Sequence, residues 1–248
     1  MPNPTENDAE EESLQLVENK RLMKNKIGLT DGRVAVMLIT AILIIDQIIK
    51  IAVKTHLCLG ESIHVTNWFY IVFVENAGMA YGLQLLNKIF LSLFRIVAVV
   101  LLGWYLHWEI KHHGRTRYVL ILSLIIAGAA GNIIDCMFYG LIFSAASPFS
   151  VSTFVSLGQG YAPFLMGKVV DMFYFPLIVT TWPEWMPMVG GNEFVFFSPV
   201  FNFADASISV GVILLIIFCR KDFERITIAF SRKKQLPEDF NGEDKDEG

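Results

Sequence analysis

Two aspartates stand in surroundings that suit acid–base chemistry. Asp171, in GKVVDMFYFPL, is flanked by apolar residues, and a carboxyl desolvated among them has its pKa raised. A protonated form then persists near neutral pH. Asp205, in VFNFADASISVGVILLI, stands at the start of an apolar run, where the free N–H groups of a helix N-terminus favour a carboxylate. Each also has a plain structural reading, the first as a surface-loop acid and the second as a helix-start acid. Brought together, two such carboxyls share a proton: one deprotonates a water while the other protonates the oxygen of a scissile carbonyl. That chemistry requires no metal, serine or cysteine.

Other polar groups lie in apolar stretches. Asp46 and Lys50, in DQIIK, are spaced i, i+4 and share a helix face, where they form either a structural ion pair or part of a substrate site. In AGAAGNIID, the small residues from Ala127 to Gly131 suit close helix packing, and Asn132 lies one turn from Asp135, which points to a polar network. Rival chemistries find no support. Neither HExxH nor GxSxG occurs in the chain. His107, His112 and His113 belong to a short basic loop, and His56 and His64 have no cysteine or paired carboxylate near them. Cys58, Cys136 and Cys219 lie far apart and form no CxxC pair. No metal or cofactor is expected.

The elements that must carry these groups are membrane helices. Of 248 residues, 54% are apolar and only 18% charged, against about 25% charged in ordinary soluble domains. Twenty Phe and five Trp would be hard to hide in a soluble core of this size. With a net charge of −4 and no dominant basic face, a nucleic-acid binder is excluded, as is a disordered chain. Four stretches have the roughly 20 apolar residues that a bilayer crossing needs, at 34–53, 89–108, 118–138 and 200–219. The acidic start TENDAEEESLQ is no signal peptide, so the first span reads as a retained anchor.

Lys and Arg cluster before the first span, at 111–117 between the second and third, and from Arg220 onward. The positive-inside rule therefore puts both termini in the cytoplasm and turns segments 54–88 and 139–199 outward. WFYIVFVENAGMAYG reads as strand structure broken at Asn-Ala-Gly, and TWPEWMPMVGGNEFVFF as an interfacial segment. The expected fold is thus an all-α integral membrane protein of four transmembrane helices with a small β-containing portion at the outer surface. Residues 1–33 and 221–248 are cytoplasmic extensions around a membrane unit at 34–220. At 1.5 Å per residue, Asp46, Lys50, Arg95, Asp135 and Asp205 lie roughly 18–26 Å from the inner face, all in the outer half of the bilayer. Four helices thus deliver polar groups to one level.

The order of motifs resembles the bacterial lipoprotein signal peptidase (signal peptidase II) family. The match consists of DQIIK at 46–50, VENAGMAYG at 74–82, GNIID at 131–135, VVD at 169–171 and FNFAD at 201–205. The resemblance implies an intramembrane aspartic endopeptidase of the bacterial inner membrane. It would remove the signal peptide from diacylglyceryl-modified prolipoproteins, cutting just before the lipidated cysteine. Asp171 and Asp205 become the catalytic pair; Asp46, Lys50, Asn76, Gly78, Gly131, Asn132, Asp135, Asn202 and Ala204 fall at positions that support the site or face the substrate. The implied partners are lipid-modified precursors and membrane lipids, with no nucleic acid; oligomeric state is left open.

Three features depart from the family pattern. Cys136 stands where the family usually has an arginine, with Arg95 a possible stand-in. Segments 141–167 and 177–198 look like insertions around VVD that form an outer lid or platform. The terminal extensions have no counterpart in the usual core. A rival from another class is a small proton- or ion-coupled transporter or channel subunit, in which Asp46, Lys50 and Asp205 relay charge. Such a protein should carry polar groups along the whole depth, whereas the inner halves of these spans are nearly pure hydrocarbon.

Overall fold

The computed structural model describes residues 6–78, 86–112 and 115–218. Its elements run in the order α1 (Glu6–His56), β1 (Ser62–Thr66), β2 (Phe69–Asn76), α2 (Leu86–Lys111) and α3 (Thr116–Ile134). A π-helical turn (Asp135–Tyr139) and the short α4 (Gly140–Ile142) extend α3. Then come β3 (Val169–Tyr174), β4 (Ile178–Thr181), β5 (Glu193–Phe196), β6 (Val200–Phe201) and α5 (Phe203–Phe218).

Three helical stretches are long and apolar enough to cross a membrane: Asp31–His56, Lys88–Lys111 and Thr116–Ile142. The fourth, Phe203–Phe218, is apolar but shorter. All four overlap the expected spans. Helix α1 also runs without a break across the boundary expected at residue 33. The last span begins later than its hydropathy implies. Val200 and Phe201 form β6 and pair with Tyr174 and Phe173 of β3, so the helix starts at Phe203. Cys219 and the charged tail lie outside the described residues.

Helix α3 is the central member of the bundle, packed against α1, α2 and α5. Its small residues explain how. A Cβ added to Gly128 would come within 2.3 Å of the Ala204 carbonyl oxygen, and one added to Gly131 within 2.7 Å of Asp46 Oδ2. From α5, Gly211 likewise meets Ile125. These close approaches are the small-residue packing that apolar surroundings favour, since lipid gives helices no hydrophobic drive to associate. By contrast, α2 turns Phe90, Phe94, Val100, Leu101 and Trp104 outward. An apolar outer surface of this kind suits lipid contact.

The four-stranded sheet, in the order β1-β2-β3-β6, is antiparallel throughout and sits at the Asp46–His56 end of α1. Val53, Leu57, Phe73, Tyr139, Phe143, Val170 and Met172 form the core that joins it to the helices. The strand expected in WFYIVFVEN is β2, and it ends at the asparagine. Segment 177–198 contains a separate hairpin of β4 and β5. In β2 and β3 the register sets Val74 opposite Asp171, Glu75 opposite Val170 and Asn76 opposite Val169.

Glycine substitutions test this packing. Gly128→Ala forces backbone against a side chain and should destabilise the bundle by about 1–3 kcal/mol. Gly103→Ala, in α2 with nothing near the added methyl, should gain about 0.5–1 kcal/mol. Thermal unfolding in detergent micelles reads both.

Candidate functional site

The site begins with a buried ion cluster between α1 and α3. Lys50, fully buried, places its ammonium 2.9 Å from Asp46 Oδ2, 2.8 Å from Asp135 Oδ2 and 2.9 Å from Asn132 Oδ1. An ammonium has three protons, and all three are used. Asp46 and Asp135 are equally buried and are satisfied from other elements as well. Asp46 Oδ1 accepts the Ala204 N–H at 2.9 Å, which draws the start of α5 onto α1. Asp135 accepts the Val170 N–H at 3.3 Å, which draws in β3. Gly131 leaves the room that Asp46 needs.

Asn132 passes this polarity onward. Its oxygen faces Lys50, so its amide nitrogen turns to Asp205 and donates to Oδ1 at 2.7 Å. Asn202 lies beside it. One amide proton goes to Asn132 Oδ1 at 3.1 Å and the other to Asp171 Oδ1 at 2.7 Å. Asn202 also caps α5: its Oδ1 accepts the Asp205 N–H at 2.8 Å, and Asp205 Oδ2 accepts the Asn202 N–H at 3.4 Å. This is the reciprocal arrangement of a capping box, with Asp205 in the third helical position. From β2, Asn76 donates to Asp171 Oδ2 at 3.1 Å. Its own oxygen holds the Gly78 N–H at 2.8 Å, in a turn where Gly78 adopts φ +74° and lies against Leu91 and Arg95.

Asp171 and Asp205 therefore meet at one place, a strand carboxyl beside a helix-start carboxyl, bridged by two amides. Asp171 is 2% exposed and Asp205 half-buried. Burial pushes the Asp171 carboxyl up to about 6; the Asp205 charge adds to this, and the Asn76 and Asn202 donors oppose it. Neither has a cation in salt-bridge contact among the described residues, whereas Asp46 and Asp135 share Lys50. One pair of acids is bridged by a lysine and the other by amides. Such a pair can activate a water and protonate a carbonyl oxygen.

The eleven residues assigned to the site from the sequence all lie in or against this network. The sequence reading passed over several others. Gln47 donates to Asp135 Oδ1 at 3.0 Å and Asp46 Oδ2 at 3.2 Å, and accepts the Tyr139 hydroxyl at 3.1 Å. Its place within DQIIK, next to Asp46, was the available signal. Glu75, bound by Lys54 and Lys168, lies one residue before Asn76 and carried no motif of its own in the reading. Arg95 reaches Cys136, with Nη1 3.6 Å from the sulfur, and does not pair with Asp135. Lys50 and Gln47 serve Asp135 instead.

The fold and site together define a mostly helical protein with apolar membrane-length helices and a small sheet, in which two aspartates meet. Residues 38–220 match the family described as Signal peptidase (SPase) II. The lipoprotein signal peptidase of Porphyromonas gingivalis is 49% identical over 85% of this chain and 92% of that protein. The lipoprotein signal peptidase of Amoebophilus asiaticus is 33% identical over 73% of this chain and 75% of that one. A bacterial membrane enzyme solved by the in meso method at 1.9 Å superposes with a TM-score of 0.52 at 25% identity, covering 76% of this chain and 94% of that chain. The chain belongs to the signal peptidase II family and is therefore a peptidase.

Removing Lys50 is the sharpest test of the ion cluster. Lys50→Met leaves two carboxylates buried together and should cost about 3–5 kcal/mol, enough to deplete folded protein in membranes. Asp46→Asn leaves Lys50 its Asp135 partner and should cost less. Quantifying folded protein per cell for both variants checks the order.

Proposed function

We propose that this chain is an intramembrane aspartic endopeptidase that removes the signal peptide from diacylglyceryl-modified prolipoproteins, cutting just before the lipidated cysteine. The observation that carries the reading is Asn202, which donates to Asp171 while capping the helix turn that holds Asp205. Family membership supports the same activity. Asp171, the more deeply buried acid, supplies the proton to the scissile carbonyl oxygen. Asp205, held by the Asn132 amide at the helix start, takes the proton of the attacking water. Asn76, Asn132 and Asn202 orient the pair, and the Lys50 cluster fixes Asn132 directly and Asn202 through it.

The proposal includes four spans, at about 34–53, 89–108, 118–138 and, from Phe203, the last apolar run. Both termini are cytoplasmic, residues 1–33 and 221–248 flank the membrane unit at 34–220, and the sheet faces outward from the bacterial inner membrane. The basic residues at 111–117 support this orientation. A site at the outer end of the helices lies where a lipidated cysteine sits, with its acyl chains in the bilayer. Reporter fusions at residues 60 and 160 should read outside, and one at 235 inside. A cytoplasmic signal at 160 would overturn the orientation.

Asp171→Asn and Asp205→Asn should each abolish cleavage of a lipidated precursor per folded molecule, and the double variant should lose little more, because residues acting as a unit are non-additive. The unlipidated twin of the precursor should be cut far more slowly, since each buried methylene contributes about 0.8 kcal/mol. The pH profile should show the pair's shared proton. Above about 6 the Asp171 carboxyl loses its proton, so activity falls along an alkaline limb. Substantial turnover by either Asn variant would sink the reading.

A further inference from the structure

Beside the dyad stands a second buried ion cluster that the hydrolytic step does not use. Glu75 lies on β2 between Val74, which pairs with Asp171, and Asn76, whose amide donates to Asp171. Its carboxylate, 3% exposed, is held by Lys54 from α1 and by Lys168, 2.8 Å away, which immediately precedes β3. Burial pushes Glu75 up, but the hydrogen bonds and charges of Lys168 and Lys54 outweigh that and hold it below the usual carboxylate range.

Lys54 is fully buried, and its ammonium lies 5.5, 5.4 and 5.1 Å from the ring centres of Phe73, Phe143 and Tyr161. Two of those rings, Phe143 and Tyr161, come from the stretch after α4. Tyr161 also accepts the Lys168 N–H at 2.8 Å. The stretch is anchored by Tyr161 N–H to the Phe143 carbonyl at 3.1 Å and by Gly167 N–H to the Cys136 carbonyl at 2.9 Å. An exposed Lys–Glu pair contributes little, but a buried one ringed by aromatic faces is geometrically exacting.

We propose that Glu75 is a positioning residue for the dyad: clamped between Lys54 and Lys168, it fixes the β2–β3 register that presents Asn76 to Asp171, with segment 141–167 walling the clamp. This rests on Asp171 being catalytic. The segment is then part of the site's foundation, not a lid over it.

The charged groups facing Glu75 are Lys54 and Lys168, with the Tyr161 hydroxyl bound to the Lys168 backbone; those facing Asp171 are Asp205 and Lys50. Two effects of Glu75→Gln on Asp171 therefore have opposite signs. Loss of a negative charge, with two lysines unmasked, lowers the Asp171 pKa. Displacement of Asn76 removes a donor to the Asp171 carboxylate and raises it.

The test is cleavage of a lipidated precursor by the purified full-length protein in lipid-detergent micelles, between about pH 5 and 8, per folded molecule. Glu75→Gln should lower kcat about tenfold to a hundredfold with KM within about twofold, and move the alkaline limb upward. Asn76→Ala should move the limb the same way, and the double variant should move it no further. If Glu75→Gln does not accumulate, Lys54→Met with Glu75→Gln, which removes both buried charges, carries the same expectation. An unmoved or lowered limb, unchanged kcat, or additive shifts in the Asn76→Ala/Glu75→Gln variant would overturn the proposal. Asp171→Asn separates the two readings. If it is inactive while the limb of Glu75→Gln stays put, only the positioning role fails; if it is active, the dyad itself fails.

Discussion

Lys50 is the interaction on which the rest of the site depends. A lone ammonium in hydrocarbon is costly, and this one is tolerated because two carboxylates and an amide oxygen take all three of its protons. The arrangement has a directional consequence. An amide that gives its oxygen to Lys50 must turn its nitrogen the other way, and for Asn132 that way leads to Asp205. The Asn132 oxygen also takes one proton of Asn202, whose second proton is aimed at Asp171. A single buried cation thus sets the orientation of both asparagines, and through them both aspartates.

The same cluster ties α1 and α3 to the elements that carry the two aspartates. Asp46 holds the backbone at Ala204 and so the start of α5; Asp135 holds the backbone at Val170 and so β3. Those are the elements that carry Asp205 and Asp171. The capping box of Asn202 and Asp205 then closes the loop between β6 and α5 with no residue to spare. Charge neutralisation, helix capping and site geometry are one set of hydrogen bonds, so a change in any member is felt by the others.

Much of this was legible in the chain. The spans show as apolar runs, and Asp46, Lys50, Asp135 and Asp205 stand out because ionisable groups in such runs are rare. Asp171 stands out by its apolar neighbours. The late start of α5 was hidden, because Val200 and Phe201 are as apolar as the helix that follows and hydropathy does not distinguish strand from helix over two residues. The π-helical turn at Asp135–Tyr139 was hidden too, since five residues are too few to reveal a change of period. Glu75 and Lys54 are 21 positions apart, and only the folded sheet brings them together.

The acids in and around the site divide by what faces them. Asp46, Asp135 and Glu75 each touch a lysine, and the ion pairs tie together the elements that carry them. Asp171 and Asp205 touch amides: Asn76, Asn132 and Asn202, together with the Asn202 backbone. An amide N–H orients a carboxylate without fixing its charge as a cation would. Interposing asparagines keeps the cation's organising effect while its charge reaches Asp171 only from a distance, where burial outweighs it. For the proposed dyad, that placement leaves the Asp171 carboxyl, pushed up to about 6, with no ion-pair partner among the described residues, as chemistry by two acids requires.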